Sequence, residues 1–254
     1  MDRQNELLQD LTATMRTWGS APGHAQSPFV TLSFAQTLDG CLAVAYGERL
    51  FISGVESQTL THRLRASHEG ILIGVGTVLA DDPLLTVRLV SGTDPQRIIV
   101  DPKLRTPLSA RILNDGAAPP WIVTLVAEDD ERAHALRARG VTLIHTRGRD
   151  GWIPVASLLK SLRASGIRSL MVEGGAVVIS TFLAAGLANF AVITMGPLII
   201  GSSSAVRYTP ERPYILKNMN SGRAGTDLVY WGLPTPIDLS LRRTRVPAAA
   251  DAYA

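Results

Sequence analysis

Between Phe29 and about Arg242, short apolar runs alternate with stretches of helical periodicity, and glycine or proline marks most of the junctions. The runs have the length of β-strands, and the stretches between them are long enough for helices. This alternation predicts an α/β fold with a mostly parallel central sheet flanked by helices. The candidate strands are residues 30–35, 70–74, 97–101, 121–126, 142–146, 169–173, 189–195, 227–231 and 238–242, and the candidate helices are residues 56–67, 76–80, 129–139, 155–165 and 176–185.

The end of the alternating region has a different pattern. Its last two candidate strands, residues 227–231 and 238–242, have no helical stretch between them. Parallel neighbours need a crossover connection, whereas antiparallel strands need only a short turn. We therefore expect antiparallel strands at the C-terminal end of the sheet, with the final two joined as a hairpin through the sequence GLPTP.

The N-terminal segment is separate from this alternation. Apolar residues recur at helical spacing from Leu7 to Trp18, which predicts an amphipathic helix over residues 3–18. The sequence GSAPGHAQSP that follows has the composition of a linker. The expected organisation is a helix and linker over residues 1–27, a single domain over residues 28–245 and a loose tail over residues 246–254.

Composition and charge argue against several classes of protein. The 25 lysines and arginines are spread along the chain and give a net charge of +3, which does not indicate a nucleic-acid-binding surface. No stretch reaches the roughly 20 apolar residues of a membrane span, and the N-terminus lacks the apolar core of a secretory signal. A single cysteine, Cys41, and five histidines without metal-ligand spacing do not indicate a metal site. We expect a cytoplasmic protein without a metal.

The sequence ILIGVGTVLADDPLLTVR, residues 71–88, combines an apolar strand with a short helix that ends in two acids. Its G-x-G pattern lacks the third glycine of the dinucleotide-binding fingerprint. Thr77 lies near the helix start, where N–H groups and a hydroxyl can bind an anion, although close packing of the helix on the strand also explains the glycines. Carboxylates at the other end oppose the helix dipole. Asp82 precedes Pro83 and is explained as a turn residue, so Asp81 is the candidate functional carboxylate.

Two other strand ends are candidate ligand sites. In MVEGGAVVISTFLAAG, Glu173 ends a strand, and Gly174 and Gly175 open a helix. Two glycines there let a phosphate approach the backbone, but they also suit a plain tight turn. A charged residue that ends a buried strand favours a functional role for Glu173. In QTLDG, after the first strand, Asp39 and Gly40 indicate a tight turn, and polar groups at such a strand end can equally face a ligand.

Four segments, in order, resemble the pyrimidine reductase domain of riboflavin biosynthesis: LSFAQTLDGCLA, THRLRASHEGILIGVGTVLADDPLLTVR, QRIIVDPKLRTP and VEGGAVVISTFLAAGL. That domain is the C-terminal half of the bifunctional deaminase-reductase RibD and also occurs as a stand-alone enzyme. The sequence lacks the zinc-deaminase pattern H-x-E with P-C-x-x-C, so it resembles the stand-alone form. The resemblance implies a three-layer, dihydrofolate reductase-like fold. It also implies an NADPH-dependent enzyme that reduces the ribosyl group of a phosphoribosylamino-pyrimidine to ribityl by hydride transfer to C1′.

The resemblance implies roles for individual residues as well. The positions that match cofactor contacts are Gln36, Phe51, Thr77, Asp81, Gly174 and Gly175, the last two at the start of a pyrophosphate-binding turn. The positions that match substrate contacts are Arg65, Leu85, Arg88 and Glu173. Arginines suit a 5′-phosphate, and a carboxylate suits the N–H donors of a pyrimidine. Asp81 is the candidate catalytic residue, and Lys103 and Arg105 are candidates for binding the 2′-phosphate of NADPH.

Two positions depart from the family pattern. Ser33 stands where the family usually has lysine, and Phe51 stands where it commonly has tryptophan. Loss of a cation from the site can change the substrate. Two alternatives stay open: a dihydrofolate or pterin reductase-like enzyme, since that fold also places a carboxylate against a pterin ring, and a non-catalytic nucleotide-binding homologue, which Ser33 keeps open. The resemblance further implies a homodimer that acts on a small phosphorylated pyrimidine, without a nucleic-acid or membrane partner.

Overall fold

The described residues form one nine-stranded sheet with helices on both faces. The computed structural model describes residues 3–20, 26–46, 48 and 50–238. The helices are α1 (Arg3–Ser20), α2 (Val55–Ala66), α3 (Val75–Asp81), α4 (Arg111–Asn114), α5 (Glu131–Arg137), α6 (Val155–Ala164) and α7 (Ala176–Ala185). The strands are β1 (Phe29–Gln36), β2 (Gly70–Gly74), β3 (Gln96–Val100), β4 (Trp121–Thr124), β5 (Thr142–His145), β6 (Ser169–Val172), β7 (Phe190–Met195), β8 (Tyr214–Ala224) and β9 (Asp227–Pro236).

The strands lie in the order β5-β4-β3-β2-β6-β1-β7-β9-β8. Strands β1 to β7 pair in parallel, whereas β9 runs antiparallel to both β7 and β8. The predicted fold class, α/β with a mostly parallel central sheet and antiparallel strands at the C-terminal end, is confirmed. Strands β2 to β5 extend the sheet to one side of β6, and β1 and β7 extend it to the other. Open α/β sheets bind ligands at strand ends beside such a reversal.

Two hydrophobic clusters, one on each face, hold the helices to the sheet. Because side chains alternate along a strand, Phe29 of β1 packs in the same cluster as Leu7 and Leu11 of α1, and Val30 packs in the other cluster with Phe182 of α7. Helices α1 to α5 contribute to the first cluster, and α6 and α7 contribute to the second. The result is three layers, with the sheet between two sets of helices.

The N-terminal helix is part of this packing. The predicted amphipathic helix is confirmed, and α1 contacts β8. Asp10 of α1 accepts hydrogen bonds from Trp231 Nε1 at 2.8 Å and from Asn220 Nδ2 at 3.0 Å. Because a buried indole N–H needs an acceptor, Asp10 fixes the position of the helix along the last two strands.

One prediction for the C-terminal part of the sheet was wrong, and one strand was missed. The sequence GLPTP is not a hairpin loop, because it continues β9 as far as Pro236. β9 forms its hairpin with β8, a strand that the sequence analysis missed. β8 reads YILKNMNSGRA with mostly half-buried or exposed side chains, since it is an edge strand and has no buried apolar run. Pro234 and Pro236 lie beyond Gly232, where β9 pairs with β8 alone. One side of the strand has no neighbour there, so a proline without a backbone N–H is tolerated.

Several expectations lie partly outside the described residues. These include residues 239–242 of the last predicted strand, the predicted tail at 246–254 and residues 21–25 of the predicted linker. The division of the chain at residues 27 and 245 stays a prediction. Among the helices of the described residues, none is both long and apolar enough to cross a lipid bilayer.

Candidate active site

Three neighbouring strands, β2, β6 and β1, end at the same edge of the sheet. Their last residues are Gly74, Val172 and Gln36. β2 continues directly into α3, and β6 leads into α7 through one glutamate and two glycines. Two helix starts and three strand ends therefore surround one crevice, at the reversal of the sheet where α/β proteins bind ligands.

Glycines allow the two helix starts to approach each other. A Cβ atom at Gly74 or at Gly174 would lie 2.8 Å from the side chain of Val178 in α7, a distance that the packing does not allow. A Cβ atom at Gly175 would lie 3.4 Å from Thr77 Oγ1, so Thr77 of α3 is next to the start of α7. The predicted pair of glycines therefore lies directly beside the predicted threonine.

A cavity of about 240 Å³ opens in this crevice. Six of the residues singled out for the site lie in its lining: Arg65, Thr77, Asp81, Leu85, Arg88 and Glu173. They come from α2, from α3 and the segment after it, and from the end of β6. The lining also includes Asp82 and Arg111. The structure thus brings together residues from two of the segments that carry the resemblance, residues 61–88 and the segment that contains Glu173, and these include all four predicted substrate contacts.

α3 supplies two of the lining side chains from one face. Thr77 and Asp81 are one helical turn apart, so both point to the same side. α3 ends at Asp81, and Asp82 follows in the left-handed conformation with φ 42° and donates its N–H to Val78 O at 3.1 Å. Asp82 Oδ1 accepts the backbone N–H of Arg111 at 2.8 Å. Asp82 therefore shapes the turn, as predicted, and also ties α3 to α4.

The backbone after α3 is held in an unusual conformation. Leu85 is 2% exposed and has a φ of 61°, in the left-handed region that costs a non-glycine residue about 1 kcal/mol or more. Contacts on both sides keep it there. Leu84 O accepts a hydrogen bond from Arg97 Nη1 at 3.0 Å, and Val87 N–H donates to Asp94 Oδ1 at 2.6 Å. This segment therefore forms a fixed wall of the cavity.

Arg65 and Glu173 form a bidentate ion pair. Arg65 Nε and Nη2 donate to the two oxygens of Glu173 at 2.8 and 2.6 Å, and Nη1 donates to Thr86 O at 3.1 Å. Burial alone would lower the pKa of Arg65, but the charge and hydrogen bonds of Glu173 outweigh it and raise that pKa. The prediction gave these two side chains separate parts of a substrate, whereas the structure joins them to each other.

His62 of α2 anchors the backbone of Arg88. The imidazole is 5% exposed, and its Nδ1 accepts the N–H of Arg88 at 2.8 Å, which requires an unprotonated Nδ1. Burial, followed by the charges of Arg65 and Arg88, lowers the pKa of His62 to about 4. The imidazole is therefore neutral at physiological pH and keeps the acceptor that this contact needs.

Besides Gly174 and Gly175, four other predicted residues are not part of the cavity lining. Gln36 Oε1 is buried and has no hydrogen-bond partner among the described residues. Phe51 is 67% exposed in the segment before α2. Lys103 and Arg105 are exposed in the segment after β3. The roles given to these four residues, like those of the residues that line the cavity, stay predictions.

The QTLDG motif forms a structural turn. Asp39 accepts hydrogen bonds from Thr37 Oγ1 at 2.6 Å, from Gly201 N–H at 2.9 Å and from Ile200 N–H at 3.2 Å. These bonds, that of Thr37 first, lower the pKa of Asp39 below its usual value. Of the two interpretations that the sequence left open, the contacts favour the turn for Asp39, which joins the end of β1 to the segment after β7.

Comparison with known proteins identifies the family. The RibD C-terminal domain matches residues 28–230 of the chain. The chain belongs to the RibD C-terminal domain family. The riboflavin biosynthesis protein RibD of Aquifex aeolicus is 38% identical over 182 residues, which cover 71% of this chain and 49% of that protein. The 2,5-diamino-6-ribosylamino-4(3H)-pyrimidinone 5′-phosphate reductase of Methanothermobacter thermautotrophicus is 38% identical over 181 residues, which cover 70% of this chain and 82% of the relative.

Solved structures of a riboflavin biosynthesis reductase and of a RibD protein have the same fold. The riboflavin biosynthesis reductase of Saccharomyces cerevisiae superposes with a TM-score of 0.72 and 30% identity, over 91% of this chain and 100% of that one. A RibD structure from Acinetobacter baumannii gives a TM-score of 0.74 and 26% identity, over 90% of this chain and 64% of that one. The chain spans about half the length of the first RibD relatives that it matches.

Two residues at the site of this RibD-family chain were missed by the sequence analysis. Arg111 opens α4, a helix of only 4 residues that has no apolar periodicity to mark it. His62 had a usable signal, because it precedes Arg65 by three positions on a helix and therefore shares its face. Within the described residues there is no cluster of three or more histidine, cysteine or acidic side chains able to hold a metal.

We predict a pH-dependent contribution of His62 to stability. Its pKa of about 4 in the folded chain lies below the ordinary value of about 6.5, so between these values the unfolded chain binds more protons. The contribution of His62 to the unfolding free energy is therefore complete above pH 6.5 and decreases as the pH falls towards 4. Relative to His62→Asn, which keeps an acceptor but does not titrate, the wild type should lose about 2 kcal/mol of unfolding free energy between pH 7.5 and pH 4.5.

Urea unfolding of both proteins at the two pH values measures this loss. His134→Asn, on the exposed side of α5, controls for the removal of a histidine elsewhere. If wild type and His62→Asn lose the same stability on acidification, His62 is not a buried neutral acceptor for Arg88.

Proposed function

We propose that the chain is an NADPH-dependent reductase of riboflavin biosynthesis, which reduces the ribosyl group of a 5-phosphoribosylamino-pyrimidine to ribityl. Relatives support this proposal by name. The Methanothermobacter protein and one from Saccharomyces cerevisiae, 32% identical over 235 residues, are both named 2,5-diamino-6-ribosylamino-4(3H)-pyrimidinone 5′-phosphate reductase. The observation that carries the proposal is the cavity that Thr77 and Asp81 share with the Arg65–Glu173 pair and Arg88, beside the start of α7.

The residues beside the cavity fit a nicotinamide dinucleotide. Among the described residues, no side chain caps the start of α7, so its N–H groups are open to a pyrophosphate in front of Gly174 and Gly175. The orphaned Oε1 of Gln36 is an acceptor suited to an amide N–H. We assign cofactor binding to these three residues together with Phe51, Thr77 and Asp81. When bound, the cofactor supplies a hydride. The choice of NADPH rests on the family resemblance, with Lys103 and Arg105 as candidates for its 2′-phosphate.

The other wall of the cavity suits the substrate. Glu173, held in one orientation by Arg65, can accept N–H groups of a pyrimidine ring. Leu85 offers an apolar surface, and Arg88 offers a cation to the 5′-phosphate. A carboxylate and a cation that line one cavity can orient the sugar of the substrate, which is the main contribution that a protein makes to hydride transfer.

Asp81 is the residue to which we assign proton transfer. In the proposed reaction the C1′–O4′ bond breaks, O4′ gains a proton and becomes a hydroxyl, and the exocyclic nitrogen loses a proton as the C1′–N imine forms. C1′ then receives the hydride, and the nitrogen regains a proton. A carboxylate on the cavity wall can take the proton from the nitrogen and pass it to O4′, and solvent then supplies the proton that the nitrogen regains after hydride transfer.

A substrate panel tests the proposed function. NADPH oxidation is followed with the 2,5-diamino-pyrimidinone ribosyl phosphate, with its deaminated uracil counterpart and with dihydrofolate. We expect oxidation with at least one of the two ribosylamino-pyrimidines and none with dihydrofolate. Oxidation with dihydrofolate alone would support the pterin reductase alternative. Tight NADPH binding without oxidation of any compound would support the non-catalytic alternative, which Ser33 keeps open.

We also propose that the protein is a cytoplasmic homodimer, on the basis of the family resemblance. Light scattering coupled to size-exclusion chromatography measures the mass directly. The expected mass is twice that of the 27.2 kDa chain. A monomer at micromolar concentration would contradict the proposed homodimer and leave the proposed reaction untouched.

A further inference from the structure

We propose that Arg111 is a second phosphate-binding residue and that it forms, together with Arg88, the anion subsite of the cavity. This inference rests on the proposed function and assigns the part of the site that selects a phosphorylated substrate. Three arginines line the cavity: Arg65, Arg88 and Arg111. The inference depends on which of them has donors left for a ligand.

Arg65 has few donors to offer. Its Nε, Nη1 and Nη2 atoms all donate to groups of the protein, and Glu173 balances its charge at a distance of 2.6 Å. Its side chain is only 9% exposed. A phosphate that bound Arg65 in the usual bidentate manner would have to displace Glu173, which would leave a partly buried carboxylate without its partner.

Arg88 and Arg111 are in the opposite situation. Arg88 uses only Nη1, which donates to the hydroxyl and the carbonyl of Thr86 at 2.6 and 3.3 Å. Its Nε and Nη2, and the whole guanidinium of Arg111, make no hydrogen bond to the described residues. The backbone of Arg111 is nevertheless fixed, because its N–H donates to Asp82 Oδ1 at 2.8 Å. Two guanidinium groups with free donors are thus supplied to one cavity from two anchored segments.

The local charges are compatible with an anion between these two groups. Burial, then the charge of Arg65 and then that of Arg111, lowers the pKa of Arg88. Two like charges held on one cavity wall repel each other, and a phosphate between them would replace this repulsion by two attractive contacts. Two carboxylates, Asp81 and Asp82, also line the cavity, and one oxygen of Asp82 is already occupied by the N–H of Arg111.

Arg111→Ala tests the subsite without removing the backbone contact to Asp82. We expect KM for the phosphorylated substrate to rise about 10- to 100-fold, with kcat within about threefold of the wild type. KM for the dephosphorylated substrate should change by less than about threefold. For Arg111→Lys, KM for the phosphorylated substrate should lie between the values of the wild type and Arg111→Ala, because lysine keeps the charge but lacks the planar guanidinium group. Arg149→Ala, which removes a 92% exposed arginine after β5, is the control for loss of one positive charge.

A binding measurement separates this inference from the proposed function. Calorimetric titration with ribose 5-phosphate, and with ribose as the reference, needs no turnover. Wild-type binding of ribose 5-phosphate that weakens at least about tenfold in Arg111→Ala supports the subsite, even if no NADPH is oxidised and the proposed function fails. The opposite result is normal turnover by the wild type, together with unchanged KM and unchanged ribose 5-phosphate binding in Arg111→Ala. It overturns the proposed subsite and leaves the proposed function standing. An equal rise in KM for the phosphorylated and the dephosphorylated substrate in Arg111→Ala also overturns the proposed subsite.

Discussion

Replacing Asp81 by asparagine should lower kcat by about 100-fold or more and leave the fold intact. The side chain lines the cavity one helical turn after Thr77, on the wall next to the proposed cofactor site. Proton transfer by a positioned side chain contributes about 10²- to 10⁴-fold to a reaction rate. A carboxylate at a helix C-terminus is unfavourable by about 0.3–1 kcal/mol, so the variant should unfold with an equal or slightly higher free energy. Steady-state NADPH oxidation and urea unfolding measure the two quantities.

The neighbouring Asp82 provides a matched control. Asp82→Asn removes the same charge from the same lining, but asparagine keeps an oxygen that can accept the N–H of Arg111. We expect its kcat to fall by only a few-fold. If both variants lose activity to the same extent, the effect belongs to the charge of the cavity as a whole, and the assignment of Asp81 as the proton-transfer residue is wrong.

Removing one partner of the Arg65–Glu173 pair should have the largest effect on stability. Arg65→Ala leaves Glu173 without its bidentate partner and removes one of the two donors to Thr86 O, in a site where the Arg65 side chain is only 9% exposed. Breaking a buried pair in this way costs about 3 kcal/mol or more. The kcat/KM value should fall as well, because Glu173 loses its fixed orientation. This fall should be equal for phosphorylated and dephosphorylated substrates, since every nitrogen of the Arg65 guanidinium already donates to a group of the protein.

A double variant separates stability from function. Arg65→Met combined with Glu173→Leu removes both charges, and such replacements often restore the stability of a buried pair. We expect the double variant to regain about 2 kcal/mol or more relative to Arg65→Ala and to remain inactive, because no carboxylate faces the pyrimidine. If Arg65→Ala keeps wild-type stability and raises KM for the phosphorylated substrate alone, then Arg65 is a phosphate ligand and the pair is incidental.

The buried part of the fold could be predicted from the sequence because buried strands and helices have distinct periods. β2 and α7 were predicted at their observed boundaries, and each is apolar along most of its length. β8 was missed since an edge strand needs no apolar run, and this omission caused the wrong hairpin through GLPTP. An isolated polar strand is recognised only by its pairing, which is a property of the whole sheet.

The sequence indicated which residues belong to the site but not which of them contact each other. Glu173 and Arg65 were both singled out, but they are 108 residues apart in sequence, and only the insertion of β6 beside β2 brings them together. Three hydrogen bonds to protein groups engage every guanidinium nitrogen of Arg65, whereas Arg88 and Arg111 keep donors for a ligand. Residue types alone do not indicate which of several arginines a carboxylate neutralises.

The position of the transferred hydride is the most direct test of the proposed reaction. The protein is incubated with NADPH that carries deuterium on the transferred position of nicotinamide C4 and with the phosphoribosylamino-pyrimidine, and the product is analysed by NMR and mass spectrometry. The proposed function predicts one deuterium per product molecule, bound to C1′ of a ribityl chain. A product without deuterium, or with deuterium on the pyrimidine ring, would contradict it.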